Sequence, residues 1–99
     1  MKDFKKVYEK SNDIASREID NELFLLPIYK TTDDISKMYI LNETAMAMWT
    51  LMDGERTLQE IVDKLCTDYH VSRKTIEKEL QELVKDLRSI NAIQEKSSR

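Results

Sequence analysis

The sequence has few of the residues on which most catalytic motifs depend. Its 99 residues include one glycine, one cysteine, one histidine and one proline. A single glycine excludes phosphate-binding loops and most nucleophile motifs, which need several glycines to bring the backbone close to a ligand. The one cysteine, Cys66, cannot form an internal disulfide, and a zinc site needs several thiol or imidazole ligands. We therefore expect a non-catalytic protein without a cofactor or metal, in a reducing compartment.

Long apolar runs are also missing. The first ten residues mix charged side chains with Phe4, Val7 and Tyr8, and no later segment reaches the roughly 20 apolar residues of a membrane span. The net charge is −3, from 16 basic and 19 acidic residues, which does not favour binding to a polyanion such as DNA. These features predict a cytoplasmic protein with no membrane and no nucleic-acid partner.

The length and composition suit one domain. Hydrophobic residues make up 40% and charged residues 35% of the chain, as is typical of helix-rich globular proteins. Charged side chains dominate residues 1–12, which we expect to form a flexible arm, and residues 95–99, which we expect to form a solvated tail. The domain itself is predicted to span residues 13–94.

The first half of this domain has the character of β-structure. Two β-favouring segments, Ile14–Ile19 and residues 23–29, are separated by Asp20-Asn21, which favours a tight turn, so they predict a hairpin. A polar segment, residues 31–37, predicts a loop. It is followed by a third apolar strand made of Met38, Tyr39, Ile40 and Leu41.

The second half has helical periodicity. Asn42 is a candidate N-cap for a first helix, Thr57 and Glu60 form a capping-box pattern before a second, and Ser72 can cap a long third helix. The third helix carries an apolar stripe of Ile76, Leu80, Leu83, Val84 and Leu87. The sequence therefore predicts an α+β fold with an N-terminal three-stranded antiparallel sheet followed by a three-helix bundle.

Isolated chemically active or aromatic side chains have structural explanations. His70 follows the second helix with no catalytic partner nearby in sequence, and Cys66 lies beside the apolar stripe of that helix. Met48, Trp49 and Met52 recur at helical spacing and are expected to fill the core. None of these residues indicates an active site.

Several sequence blocks resemble the PqqD-like family. They are Ser16-Arg17-Glu18-Ile19, then Glu22-Leu23-Phe24-Leu25-Leu26-Pro27, and above all Tyr39-Ile40-Leu41-Asn42-Glu43-Thr44-Ala45 with Trp49 and Asp53-Gly54 downstream. The similarity continues through the last helix to Ile93 and covers nearly everything after residue 14. Its most specific part is the Leu-Asn-Glu-Thr-Ala block with Asp-Gly downstream.

The resemblance implies a fold and a function. Members of this family are winged-helix-like RiPP recognition elements, which bind the leader segment of a ribosomally made precursor peptide and usually serve a radical SAM or other maturase. The leader adds as a strand beside the third strand, next to a groove lined by the last helix. Carried over to this sequence, the peptide-binding residues are Met38, Tyr39, Ile40, Leu41, Ile76, Glu79, Leu80, Leu83 and Leu87, with most helix contacts expected at the margins of the stripe.

Two other functions remain open at this point. Ser72-Arg73-Lys74-Thr75-Ile76 opens a helix as DNA-recognition helices often do, which would suit a winged-helix transcription regulator. Against that function, acidic and basic residues alternate along this helix, and no wing hairpin is expected after it. Open edge strands would also permit a weak homodimer beside the monomer expected for a peptide-binding domain.

Overall fold

In the computed structural model of the chain, residues 2–28 and 38–96 are described. The predicted loop at residues 31–37, the predicted strand end at Tyr29 and the last three residues of the predicted tail lie outside these ranges. The elements are, in chain order, a 3-10 turn at Lys2–Lys5, β1 at Val7–Lys10, β2 at Ile14–Ile19, β3 at Glu22–Pro27, β4 at Tyr39–Leu41, α1 at Glu43–Leu51, α2 at Leu58–Tyr69, α3 at Arg73–Ser89 and β5 at Ile93–Lys96.

The predicted hairpin and third strand are confirmed. Strands β2, β3 and β4 form an antiparallel sheet in that order. Asp20 and Asn21 connect β2 to β3 with positive φ angles of 49° and 65°. These angles are those of the two-residue turn whose twist matches that of the flanking strands, and Asp and Asn tolerate them better than most residues do.

The three predicted helix starts are also confirmed. The side chain of Asn42 accepts a hydrogen bond from the backbone of Ala45 at the start of α1. Thr57 and Glu60 form both hydrogen bonds of a capping box at the start of α2. Ser72 caps α3 in the same way as Asn42 caps α1. Each cap satisfies backbone donors that would otherwise lack a partner at a helix terminus.

The N-terminal segment belongs to the folded core, which overturns the flexible arm expected for residues 1–12. Phe4, Val7 and Tyr8 are buried, and β1 pairs with β5 in an antiparallel register that runs from Val7 opposite Lys96 to Lys10 opposite Ile93. Strand β5 also takes up the first two residues of the predicted tail. Because this pairing joins residues almost a full chain length apart, neither strand has a local turn signal. The α+β fold is therefore correct, but the described residues form two sheets and not one.

Further contacts hold β1 against the helices. The backbone N–H of Gly54 donates to the carbonyl of Tyr8 at 2.9 Å, and Gly54 has a φ of 79° that favours glycine. Lys10 donates through Nζ to the carbonyl of Met52 at 2.9 Å, and its ammonium lies 5.1 Å from the centre of the Trp49 ring. Burial lowers the pKa of Lys10, although the charge of Asp53 opposes this shift. Strand β1 thus packs against the C-terminal end of α1.

The core lies between the three helices and the inner faces of both sheets. Met48, Trp49 and Met52 are buried in it, as predicted. Cys66 is half-buried and packs against its edge, whereas His70 is exposed and ends α2 in a left-handed conformation. All five residues of the apolar stripe of α3 are buried.

Within residues 2–28 and 38–96, none of the helices has the length and apolar character needed to cross a membrane. Over the same ranges, no group of three or more His, Cys, Asp or Glu side chains is arranged to hold a metal ion.

Candidate functional site

Strand β4 lies at one edge of the three-stranded sheet. It pairs with β3 on one side, with Leu23 opposite Leu41, Phe24 opposite Ile40 and Leu25 opposite Tyr39. No strand among the described residues pairs with its other side. An unpaired strand edge carries a row of backbone donors and acceptors that can bind another extended chain.

The register determines which backbone groups point outwards from β4. The backbone N–H of Ile28 donates to the carbonyl of Asp13 at 2.9 Å, so these two residues form a hydrogen-bonded pair. Hydrogen-bonded and non-hydrogen-bonded pairs alternate along antiparallel strands. Every second pair of the β2–β3 register is therefore hydrogen-bonded. Arg17 and Phe24 lie four positions along from Asp13 and Ile28, so they form another hydrogen-bonded pair, and the backbone groups of Phe24 point towards β2.

The same alternation continues across β3 to β4. Because the backbone groups of Phe24 point towards β2, Phe24 and Ile40 form a non-hydrogen-bonded pair. The N–H and C=O of Ile40 therefore both point away from β3, towards the outer edge. Ile40 is the residue of β4 that presents both a donor and an acceptor to an incoming strand.

Side chains alternate between the two faces of β4. Leu41 is buried in the core and Tyr39 is half-buried on the same face. Ile40 lies on the opposite face and is 47% exposed, while Met38, just before the strand, is 41% exposed. The edge therefore has one face that meets the helices and one apolar face that meets solvent.

A groove lies where β4 meets α1 and α3. Its cavity has a volume of about 170 Å³, smaller than the roughly 300 to 1,000 Å³ of most small-molecule sites. This volume suits one or two side chains better than a cofactor. The groove is lined by Tyr39, Asn42, Ala45, Met48, Glu79, Glu82, Leu83 and Asp86.

A hydrogen bond joins the two walls of the groove. The hydroxyl of Tyr39 on β4 donates to Oδ2 of Asp86 on α3 at 2.7 Å. Burial raises the pKa of Tyr39 to about 12, and the hydrogen bond to Asp86 and the negative charge of that carboxylate add to the effect. Tyr39 consequently remains a hydrogen-bond donor at neutral pH and fixes the spacing between β4 and α3.

Among the described residues, the charged side chains of the groove all have the same sign. Glu79, Glu82 and Asp86 line it from α3, and within residues 2–28 and 38–96 no Lys, Arg or His side chain lines it. Glu79 and Glu82 are exposed, whereas Leu83, which lines the groove from the same helix, is only 5% exposed. The groove thus has an apolar floor and an acidic wall.

The structure divides the residues predicted for the site. Tyr39 and Ile40 lie in β4, Met38 lies just before this strand, and Leu41 lies in it with a buried side chain. Glu79 and Leu83 line the groove, as Tyr39 also does. Ile76, Leu80 and Leu87 have side chains that are at most 1% exposed, so the expectation that they contact a peptide directly is corrected. They pack inwards because their part of the apolar stripe of α3 faces the core, whereas Leu83 in the same stripe lines the groove.

Five residues that line the groove were not among the predicted peptide-binding residues: Asn42, Ala45, Met48, Glu82 and Asp86. The sequence predicted Asn42 as a helix cap and Met48 as a core residue. A usable signal was present, because Glu79, Glu82 and Asp86 have the i, i+3, i+7 spacing of one helix face. Only the tertiary structure brings that face to β4.

Comparisons with known proteins are consistent with this geometry. Residues 22–93 match the family described as coenzyme PQQ synthesis protein D (PqqD). Curated proteins give no match. Among solved structures, the chain is similar to TbiB1 in complex with the TbiA(beta) leader peptide, with a TM-score of 0.71 and 27% sequence identity, covering 87% of this chain and 94% of that one.

Proposed function

The chain belongs to the PqqD family, and from this premise we propose that it binds the leader segment of a ribosomally synthesised precursor peptide and presents the precursor to a maturase. The observation that carries the proposal is the outward-facing N–H and C=O of Ile40 on the unpaired edge of β4, next to a groove sized for side chains. The bound leader peptide in the TbiB1 structure supports the same use of this fold.

The proposed complex follows from strand geometry. A leader segment that extends the sheet from β4 exchanges backbone hydrogen bonds with Ile40. Its side chains alternate, so one set enters the groove above Leu83 and the other lies on the solvent face beside Ile40. Binding needs no catalytic residue of this chain, and the backbone contacts supply affinity while the groove supplies selectivity.

The partner enzyme acts elsewhere on the same precursor. By holding the leader, the domain raises the effective concentration of the rest of the peptide near a maturase bound to it, as a linker between two sites does. We propose a radical SAM enzyme as that maturase, and a monomer or weak homodimer as the working state of this chain. The chain itself is proposed to be a non-catalytic binding domain.

A peptide selection followed by NMR tests this function. Peptides of about 15 residues, long enough to add a strand, are selected from a displayed random library on the immobilised protein and titrated into the ¹⁵N-labelled protein. We expect the largest amide shifts at β4 and at the groove face of α3. Selected peptides whose shifts avoid both elements would overturn the proposal, whatever their affinity.

The acidic wall of the groove disfavours the alternative of a DNA-binding regulator. Glu79, Glu82 and Asp86 lie on one side of α3, the helix that would have to enter the major groove. Within the described residues, the strand that follows α3 pairs with β1 and forms no hairpin of its own. Repulsion between these carboxylates and phosphates opposes such docking.

A further inference from the structure

We propose that the segment recognised by this domain places a basic side chain, Lys or Arg, next to an apolar one at the groove between β4 and α3. This inference rests on the proposed function, because it assigns a chemical class to the peptide bound at that site. It follows from the charge, spacing and accessibility of the groove residues.

The carboxylates form a continuous wall along α3. Glu79, Glu82 and Asp86 lie on one helix face and span about 10 Å at 1.5 Å per residue. Successive side chains on one face of an extended peptide lie about 7 Å apart. The wall is therefore long enough to face two such side chains.

Two of the three carboxylates are available to a partner. Asp86 already accepts the hydrogen bond from Tyr39. Glu79 and Glu82 are exposed, and among the described residues neither forms a salt bridge with a Lys, Arg or His side chain. An acidic peptide residue would be repelled here, whereas a cation would find two carboxylates without an ion-pair partner in this part of the chain.

The apolar floor of the groove determines which peptide side chains fit beneath the carboxylates. Leu83 is 5% exposed and lies beside Ala45 and Met48, so the floor under the carboxylates is apolar. A Lys or Arg stem can lie on such a surface while its charged head reaches the acidic wall. A neighbouring apolar side chain can fill the remaining space. Because the floor partly excludes water, the charge attraction is stronger than between fully solvated groups.

The test compares two charge-matched variants. Glu79→Gln/Glu82→Gln neutralises the wall, and Glu18→Gln/Asp20→Asn removes the same charge from the exposed end of the β2–β3 hairpin. Peptides are selected on the wild-type protein and on each variant. We expect Lys and Arg to be enriched by the wild-type and the hairpin variant, and this enrichment to be lost with the groove variant.

Binding measurements separate local from general electrostatics. A basic peptide selected on the wild-type protein is measured by fluorescence anisotropy at low and high salt. Neutralising the groove should weaken its Kd by about threefold to tenfold at low salt, and less at high salt. The hairpin variant should change it by less than about twofold. Replacing the basic residue of the peptide with Gln should abolish the difference between wild-type and groove variant.

The outcomes distinguish this inference from the function on which it rests. If selected peptides shift the amides of β4 but show no basic enrichment, or bind the wild-type and groove variant equally, the charge assignment is wrong and the peptide-binding function stands. If the shifts avoid both β4 and α3, the function itself fails. Circular dichroism of both variants verifies that they are folded.

Discussion

Replacing Ile40 with proline is expected to impair peptide binding far more than folding. The N–H of Ile40 points to the open edge of β4, so its loss removes no hydrogen bond to β3. Proline is tolerated at edge positions whose N–H faces outwards. The side chain of Ile40 is already 47% exposed. We expect the free energy of unfolding to fall by about 1 kcal/mol or less.

The cost to binding follows from the same geometry. Proline removes one hydrogen bond to the peptide, a loss of about 0.5 to 1.5 kcal/mol, which becomes about 1 to 3 kcal/mol where the peptide carbonyl left without a donor is buried. A loss of about 2 kcal/mol corresponds to a roughly 30-fold weaker Kd. The effect should appear for every peptide that adds to β4, because it concerns the backbone and not a side chain.

Ile40→Ala is the matched control. It keeps the backbone donor and loses only the cross-strand contact of the side chain, worth about 0.2 to 1 kcal/mol, or at most about a fivefold change in Kd. Both variants and the wild-type protein are titrated against the same selected peptide by fluorescence anisotropy, and urea unfolding measures the stability of each.

One result would refute the reasoning on strand addition. If Ile40→Pro is folded and binds the peptide as tightly as Ile40→Ala does, the peptide does not pair with the edge of β4. The affinity would then have to come from side-chain contacts in the groove alone.

Four further predictions concern other parts of the molecule. Tyr39 should ionise near pH 12, above the usual tyrosine pKa near 10, so its contribution to stability is complete below pH 10 and is lost as the pH rises through 12. Absorbance titration checks this by comparing the wild-type protein with Tyr39→Phe, which lacks the titrating group, and with Asp86→Asn, in which the pKa of Tyr39 should fall. Tyr8 is 2% exposed, so Tyr8→Ala should lower the free energy of unfolding by about 3 to 5 kcal/mol in urea titrations, whereas a loosely docked arm would give almost no change. Cys66→Ala should leave the peptide Kd nearly unchanged, with a stability cost near 1 kcal/mol for its half-buried side chain, and lost binding in a folded variant would contradict this. Binding to a labelled DNA duplex should be weak and disappear at moderate salt, and salt-resistant, sequence-specific binding would instead favour a regulator.

Local chemistry made much of the fold predictable. The Asp20-Asn21 turn and the caps at Asn42, Thr57 and Ser72 each depend on residues within a few positions of one another, and all four are confirmed. Such features can be interpreted from sequence because the hydrogen bonds that define them are local.

Long-range contacts were not predictable in the same way. Strands β1 and β5 pair residues from the two ends of the chain, so no local turn or alternation marked them as partners. The same limit applies to the site. The residues of β4 were found, but buried positions such as Ile76 and Leu80 could not be told from groove positions such as Glu82 until α3 was placed against β4.

The pairing of β1 with β5 brings the first and last strands of the fold side by side. Val7 lies opposite Lys96, so a short linker could join the two strands, and new ends could be opened at the exposed turn between α2 and α3. Both strands belong to the sheet that does not contain β4. One sheet therefore joins the first strand of the fold to the last, and the contacts that hold these two strands together are separate from the strand edge that is proposed to bind a peptide.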